Sequence, residues 1–460
     1  MLSGKAAGAV SRLLRRGGGT AVTGLVAGWV DPAVVHHLAA AIPNGSVVVS
    51  ATNGKTTTAA MLAALAREAG LDPVANASGS NMMRGVAGAL VAAARPTGRV
   101  AEPDRRIGVF EVDEATLPYA VRALAPRAVS LGNLFRDQLD RYGEVDRVAE
   151  VWRRTLESAP AAMAVALNAD DPAVASLGAA ARGRVVYFGV DDLSVATSEP
   201  QHAADVRSCP RCGARLTYDA VFYGHIGRWR CPDRSCGAAR PAPDVRAEEV
   251  LLSPDRLAAR LATPQGDLQI EAPLAGLYNV YNALAAAAAA LATGIPLEAF
   301  PRALGRFAAA FGRQETFEIG GRRVKMLLVK NPTGLDQALR AVLATLDPGR
   351  ILLFLNDGEA DGRDVSWIWD ADFELLAGEG AAFLMAAGHR AEDLALRLKY
   401  AGLGDDVPVL KRTGAALDAA LAATPPGETL FVLPTYTAML EARELLARRA
   451  GRRPFWEADP

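Results

Sequence analysis

Thr52, Asn53, Gly54, Lys55, Thr56 and Thr57 lie within the run Ser50-Ala51-Thr52-Asn53-Gly54-Lys55-Thr56-Thr57-Thr58, and residue types in this order can hold a nucleoside triphosphate. Backbone N–H groups where a loop opens into a helix point at an anion, a lysine reaches its terminal phosphates, and the adjacent hydroxyl ligates Mg2+. That chemistry needs a strand before the loop and a helix after it. Val47-Val48-Val49 and the apolar-periodic stretch Ala59 to Ala69 supply both, which argues against a chance Gly-Lys-Thr turn. Val49 stands where the general phosphate loop has its first glycine, so this is a short variant of the loop. Farther on, the apolar run from Ile107 ends in Glu111, Asp113 and Glu114, at the strand end where an open parallel sheet places its chemistry. Glu111 is the expected partner of Thr56 around Mg2+.

The second chemical signal is Cys209-Pro-Arg-Cys212 and, eighteen residues on, Cys231-Pro-Asp-Arg-Ser-Cys236. Each pair is followed by glycine, Gly213 and Gly237, as in the two knuckles of a tetrahedral thiolate zinc site. Four thiolates close the coordination shell, so the expected zinc is structural, and His225 is not needed as a ligand. Two disulfides are the alternative, disfavoured in a chain without an export signal. These are the chain's only cysteines, and Leu2 excludes an amino-terminal cysteine nucleophile. If the reaction uses glutamine nitrogen, another polypeptide must release it.

The elements that position these residues follow an α/β pattern. Strands are expected at Ala128 to Asn133, Ala164 to Asn168, Val185 to Phe188 and Leu268 to Leu274, then, after an alanine-rich helix from Gly276, at Arg323 to Val329, Ile351 to Leu355, Ala382 to Met385 and Thr429 to Leu433. We divide the 460 residues into an N-terminal helical segment (1–40), a central ATP-binding domain (41–312) with the ribbon inserted at 205–240, and a smaller α/β C-terminal domain (313–460). Lysine plus arginine (50) balance aspartate plus glutamate (51), so no global field recruits nucleic acid or membrane, and half the residues are apolar, as in a soluble globular protein. No apolar run reaches the ~20 residues of a transmembrane segment.

Together, Ala51 to Thr56, the Glu111 strand, Asn133 with Asp137-Gln-Leu-Asp140, Asn168-Ala-Asp-Asp171, Leu277-Tyr-Asn-Val-Tyr-Asn282 and Gly312-Arg313 resemble the Mur ligase superfamily of ATP-dependent amide-forming enzymes. The ribbon, Lys330-Asn-Pro-Thr-Gly334 and the segment Asn356 to Asp370 are more narrowly similar to its MurT branch, the ligase subunits of lipid II isoglutaminyl synthases. The resemblance implies ATP-dependent amidation of the α-carboxylate of D-glutamate in the lipid II stem peptide, through an acyl phosphate, to D-isoglutamine. Ammonia would come from a GatD-type glutamine amidotransferase subunit, and the site of action would be cytoplasmic, at the inner face of the membrane. By resemblance Lys55 holds the phosphates, Thr56 and Glu111 hold Mg2+, Asn279 lies near the nucleotide and Arg313 reaches the phosphates.

Several positions depart from the superfamily pattern. Ala51 replaces a glycine, Gln138 and Tyr278 replace histidines, and Lys330-Asn331 replaces an Ala-His pair, which suits an enzyme whose amine is ammonia. Asn356 to Asp370 sets acids around Trp367 and Trp369, a composition that fits an interface. In this family an acid of that segment completes the partner's Cys-His pair; Asp364 and Asp361 are the foremost candidates, with Asp357 and Asp370 behind them. Two other readings are a monofunctional amino-acid ligase of the folylpolyglutamate type and a zinc-ribbon nucleic-acid-binding ATPase, the latter suggested by the ribbon's arginines.

Overall fold

The valines before the phosphate loop form the centre of a nine-stranded sheet in a computed structural model that describes residues 20–76, 80–137, 145–197, 205–307, 313–345, 349–379 and 382–452. Its first six strands are β1 (Ser46–Ser50), β2 (Asp72–Ala75), β3 (Arg106–Glu111), β4 (Ala128–Leu131), β5 (Ala164–Asn168) and β6 (Val185–Val190). A separate hairpin, β7 (Thr217–Tyr223) and β8 (Ile226–Arg230), precedes β9 (Val245–Ser253), β10 (Arg256–Ala262) and β11 (Leu268–Ala272). The order is β11-β10-β9-β6-β5-β4-β1-β3-β2, parallel from β2 to β9 and antiparallel at β9-β10-β11. β1 is buried along its whole length, as a strand covered on both faces must be.

One face is covered by the Lys55–Glu68 and Leu277–Thr293 helices. Ala283 to Ala290 carry only one side chain larger than methyl, Leu284, and all eight are buried, so this helix lies close on the sheet. The other face packs the helices Met83–Ala93, Leu117–Leu124 and Val145–Ser158, with Trp152 fully buried among them.

A second sheet follows: β12 (Arg313–Ile319), β13 (Arg322–Leu327), β14 (Arg350–Phe354), β15 (Phe383–Ala387), β16 (Val409–Leu410) and β17 (Thr429–Pro434), in the order β12-β13-β17-β14-β15-β16. Only the β12-β13 pair is antiparallel. This is the α/β fold read from the sequence, with the ends of the expected strands displaced by one or two residues and with β2, β9, β10, β12 and β16 added to them. The P-loop helix starts at Lys55, four residues earlier than its apolar periodicity, because Lys55 to Thr58 turn inward and are buried although polar.

Candidate functional site

The phosphate loop crosses from β1 to its helix through Gly54, whose φ is +90°. A Cβ there would stand 2.0 Å from Asn282 Oδ1, so glycine is required both by the backbone angle and by the neighbouring helix. The segment after β4 braces the loop from the other side. Asn133 Oδ1 accepts from Asn53 N at 2.9 Å, Asn133 Nδ2 donates to Asn53 O at 2.9 Å, and Phe135 N donates to Thr52 Oγ1 at 3.0 Å.

Inside this frame Lys55 Nζ donates to Ala51 O at 2.9 Å and pairs with Glu114 Oε2 at 3.2 Å, both side chains nearly sealed from solvent. Burial works against the ammonium charge, but Glu114, Asp113 and Glu111 outweigh it and hold the lysine's pKa above its usual value. Thr56 Oγ1 donates to Glu111 Oε1 at 2.7 Å, which brings together the two oxygen ligands expected of Mg2+. Asn279 is buried at the start of the Leu277–Thr293 helix, where its Nδ2 donates to Ala275 O at 2.8 Å and its Oδ1 accepts from Asn282 Nδ2 at 3.0 Å. Asn53, Gly54, Thr57 and Asn279 line one cleft of about 110 Å3 between the two sheets. Arg313 opens β12 and is described through its backbone alone. Gln138, Asp140 and Gly312 lie outside the described residues.

Three contributions to the cleft escape the sequence reading. Gln314, a non-glycine residue at φ +58°, turns its amide onto the backbone of Ala275, with both N–O separations at 2.8 Å, and its Nε2 also donates to Tyr278 Oη. Asn331 exchanges reciprocal amide bonds with Asn53 of the phosphate loop at 3.0 and 3.3 Å while capping the Pro332–Leu343 helix through Gly334 N at 2.8 Å. Lys330 pairs with Asp137 across the same divide. The third is the tip of the β7-β8 hairpin, where Tyr223 lines the cleft and the fully buried His225 packs at a tilt of 52° against Phe135 with ring centroids 4.7 Å apart. A Cβ on Gly224 would meet the Phe135 ring at 2.8 Å. Their only sequence signal is the Gly-His turn between two apolar runs.

At the hairpin's far end the four thiol groups converge, with all sulfurs within 4.8 Å and the pairs Cys209–Cys236 and Cys212–Cys231 at 3.7 and 3.5 Å. A tetrahedron of ~2.3 Å Zn–S bonds has edges of roughly 3.8 Å, whereas a disulfide needs ~2.05 Å. The donor set fits zinc, the cysteines are not disulfide-bonded, and His225 lies away from them.

The acids of the C-terminal segment separate by environment. Asp361 is 6% exposed and fully engaged, accepting from Thr437 N at 2.8 Å and from Gly358 N at 3.2 Å. Asp357 faces Arg390 at 3.4 Å, and Asp370 pairs with Arg136 at 3.2 Å. Asp364 is exposed and makes no ion pair among the described residues. Hydrogen bonds from Ser366 hold its carboxyl below the usual range.

A mostly parallel sheet with a lysine-bearing phosphate loop, a carboxylate at the next strand end and a second α/β layer bordering the cleft defines a Mur ligase-type protein. Residues 49–209 match the Mur ligase middle domain family, and residues 328–439 match the MurT ligase C-terminal family. The fold is similar to a pseudomurein peptide ligase type C from Methanothermus fervidus (TM-score 0.64, 23% identity, 88% of this chain and 79% of that one) and to MurF from Acinetobacter baumannii (TM-score 0.64, 18% identity, 89% and 79%). In sequence the chain is 33% identical over 441 residues to the lipid II isoglutaminyl synthase (glutamine-hydrolyzing) subunit MurT of Streptococcus pneumoniae R6, covering 95% of this chain and 94% of that one. It is 32% identical to the Staphylococcus aureus N315 subunit of the same name, covering 94% and 93%. The chain belongs to the MurT family.

Proposed function

We propose that this chain is the ligase subunit of a two-component lipid II isoglutaminyl synthase. In this reading it activates the α-carboxylate of D-glutamate in the stem peptide with ATP and receives ammonia from a GatD-type glutaminase. The observation that carries it is the full-length likeness to MurT subunits, joined to a chain whose four thiols all meet at one closed cluster, leaving none to hydrolyse glutamine.

Residues Thr52 to Thr57 with Asn279 and Arg313 hold ATP in the cleft. Thr56 and Glu111 hold Mg2+, which when bound neutralises phosphate charge. Lys55 moves from Glu114 to the transferred phosphoryl group, where fixed positive charge stabilises the transition state. A second cleft, of about 350 Å3, opens at Glu114 between the Leu117–Leu124 and Val145–Ser158 helices, with Arg122 and Arg147 at its walls. It shares no lining residue with the nucleotide cleft. In-line transfer needs attacking and leaving oxygens on opposite sides, so the acceptor carboxylate enters here. Zinc on Cys209, Cys212, Cys231 and Cys236 is structural, and the partition at residues 40 and 312 puts the nucleotide between central and C-terminal domains.

Asp364, ionised and exposed, is the acid offered to the partner's histidine, and Asp361 is a packing residue. Trp369 and Tyr400, both exposed and in edge contact at 5.5 Å, supply an aromatic anchor near it. The test is amidation of lipid II by the complex, fed with glutamine or with ammonium. Asp364→Asn is expected to lose about 10⁴-fold with glutamine and little with ammonium. Equal loss in both assays, or no loss in either, would refute the assignment. Asp361→Asn is expected to lower thermal stability and impair both assays together.

A further inference from the structure

The β7-β8 hairpin carries the thiolate cluster at one end and pushes its other end into the protein. A tight turn normally lies in solvent, yet Tyr223, Gly224 and His225 at this tip are all buried. His225 packs against Phe135, whose backbone N–H holds Thr52 of the phosphate loop, and its Nε2 lies 3.4 Å from Asp171 Oδ2. Gly224, at φ +56°, brings the backbone so near that a Cβ would also meet the Thr333 methyl, at the start of the Pro332–Leu343 helix, at 3.6 Å. Tyr223 sits between Phe135 and Tyr281, with ring centroids 5.9 and 5.4 Å away. The tip therefore touches both the brace of the phosphate loop and the C-terminal domain.

One polar group in this arrangement has no use inside the protein. Tyr223 is 3% exposed and lines the nucleotide cleft together with Asn53, Asn133 and Thr333, and its hydroxyl makes no hydrogen bond among the described residues. A buried phenol normally finds a partner. The neighbouring tyrosines follow that rule: Tyr281 Oη donates to Asp170 Oδ2 at 2.6 Å, Tyr218 Oη donates to His225 O at 3.1 Å, and Tyr278 Oη accepts from Gln314. Burial, then the carboxylates of Asp171 and Asp170, raise the pKa of Tyr223, so the phenol keeps its proton and remains a donor. Two aromatic neighbours hold its ring, as a preorganised binding group requires. A nucleoside triphosphate is rich in the acceptor oxygens such a donor lacks.

We propose that Tyr223 is a nucleotide-binding residue, its hydroxyl donating to an oxygen of the nucleotide held in the cleft, so that the thiolate hairpin forms one wall of the ATP site. This inference rests on the reading of the cleft as the ATP site.

The full chain with its partner is titrated calorimetrically with Mg2+ and the non-hydrolysable analogue AMPPNP, and its melting temperature is measured without nucleotide. Tyr223→Phe keeps both ring contacts and removes only the hydroxyl. It is expected to bind AMPPNP about tenfold more weakly, the size of one hydrogen bond, with a melting temperature unchanged or higher because no bond within the protein is lost. Tyr281→Phe is the control, since its hydroxyl is paired internally: it should lower the melting temperature and leave AMPPNP affinity within about twofold of wild type. Wild-type affinity in Tyr223→Phe would overturn the proposal. So would a loss of affinity accompanied by a lower melting temperature, or an equal loss in Tyr281→Phe, because either would make the hydroxyl a packing group. Failure of wild type itself to bind AMPPNP would remove the nucleotide reading of the cleft, and this proposal with it.

Discussion

Lys55 is held by two carbonyl oxygens of its own loop and by a buried carboxylate, so gripping phosphate means exchanging Glu114 for a ligand. Lys55→Ala would therefore remove more than a charge at the phosphates: it strands Glu114 in a buried position, and breaking a buried pair from one side costs about 3–5 kcal/mol. Lys55→Ala is therefore expected to lose at least ~100-fold in ammonium-fed amidation and also to melt at lower temperature. Adding Glu114→Gln should restore the melting temperature and not the rate. Calorimetry beside the amidation assay checks both, and full activity of the single variant would remove Lys55 from the nucleotide site. Motif residues such as Lys55, Thr56 and Glu111 were legible because strand, loop and helix place them locally. The different surroundings of Asp361 and Asp364 were not, since a contact with Thr437, 76 positions away, is what buries Asp361.

The Pro332–Leu343 helix links the nucleotide cleft to the acidic segment, and it does so through a strained group. Asn331 at its cap reaches the phosphate loop, while Asp336 on its inner side accepts from Asp372 N at 2.8 Å and leaves its second oxygen without a hydrogen bond. Burial pushes the Asp336 carboxyl up to about 7. Below about pH 4 the folded and unfolded chains both hold this proton. Above it the unfolded chain releases the proton first, so the native state loses stability as pH rises to about 7 and no further. Asp336→Asn keeps the Asp372 contact and removes the penalty. Its melting temperature should match wild type near pH 4 and exceed it increasingly up to pH 7, by at most about 4 kcal/mol in stability. A constant offset across that range would contradict the assignment. Periodicity revealed this helix, but a lone acid on an apolar face carries no sequence signal of whether solvent or a neighbouring loop meets it.

The whole molecule brings together pieces that are far apart in sequence, and this is why the cleft was only half readable. Gln314, Asn331 and Tyr223 come from the second sheet and from the inserted hairpin, and no local pattern predicts that they converge on Asn53 and Asn279. The fold class itself was plain because the buried strands around the phosphate loop announce themselves within a few residues, whereas β2, β9, β10, β12 and β16 were not among the strands expected. The insertion also bears on how the chain reaches this state. β6 and β9 are neighbours in the sheet, yet about fifty residues separate them, and closing a loop of that length before pairing carries an entropic cost. If thiolates and zinc knit residues 205–240 first, the free length falls to about twenty and the closure cost drops by roughly 0.9 kcal/mol, about fourfold in rate. Zinc would then act as a folding clock as well as a rivet. Refolding from denaturant should be several-fold faster with one equivalent of zinc than with chelator, and Cys209→Ser should fold at the slow rate whether or not the metal is supplied. Identical rates with and without zinc would mean that the far edge of the sheet assembles before the ribbon does.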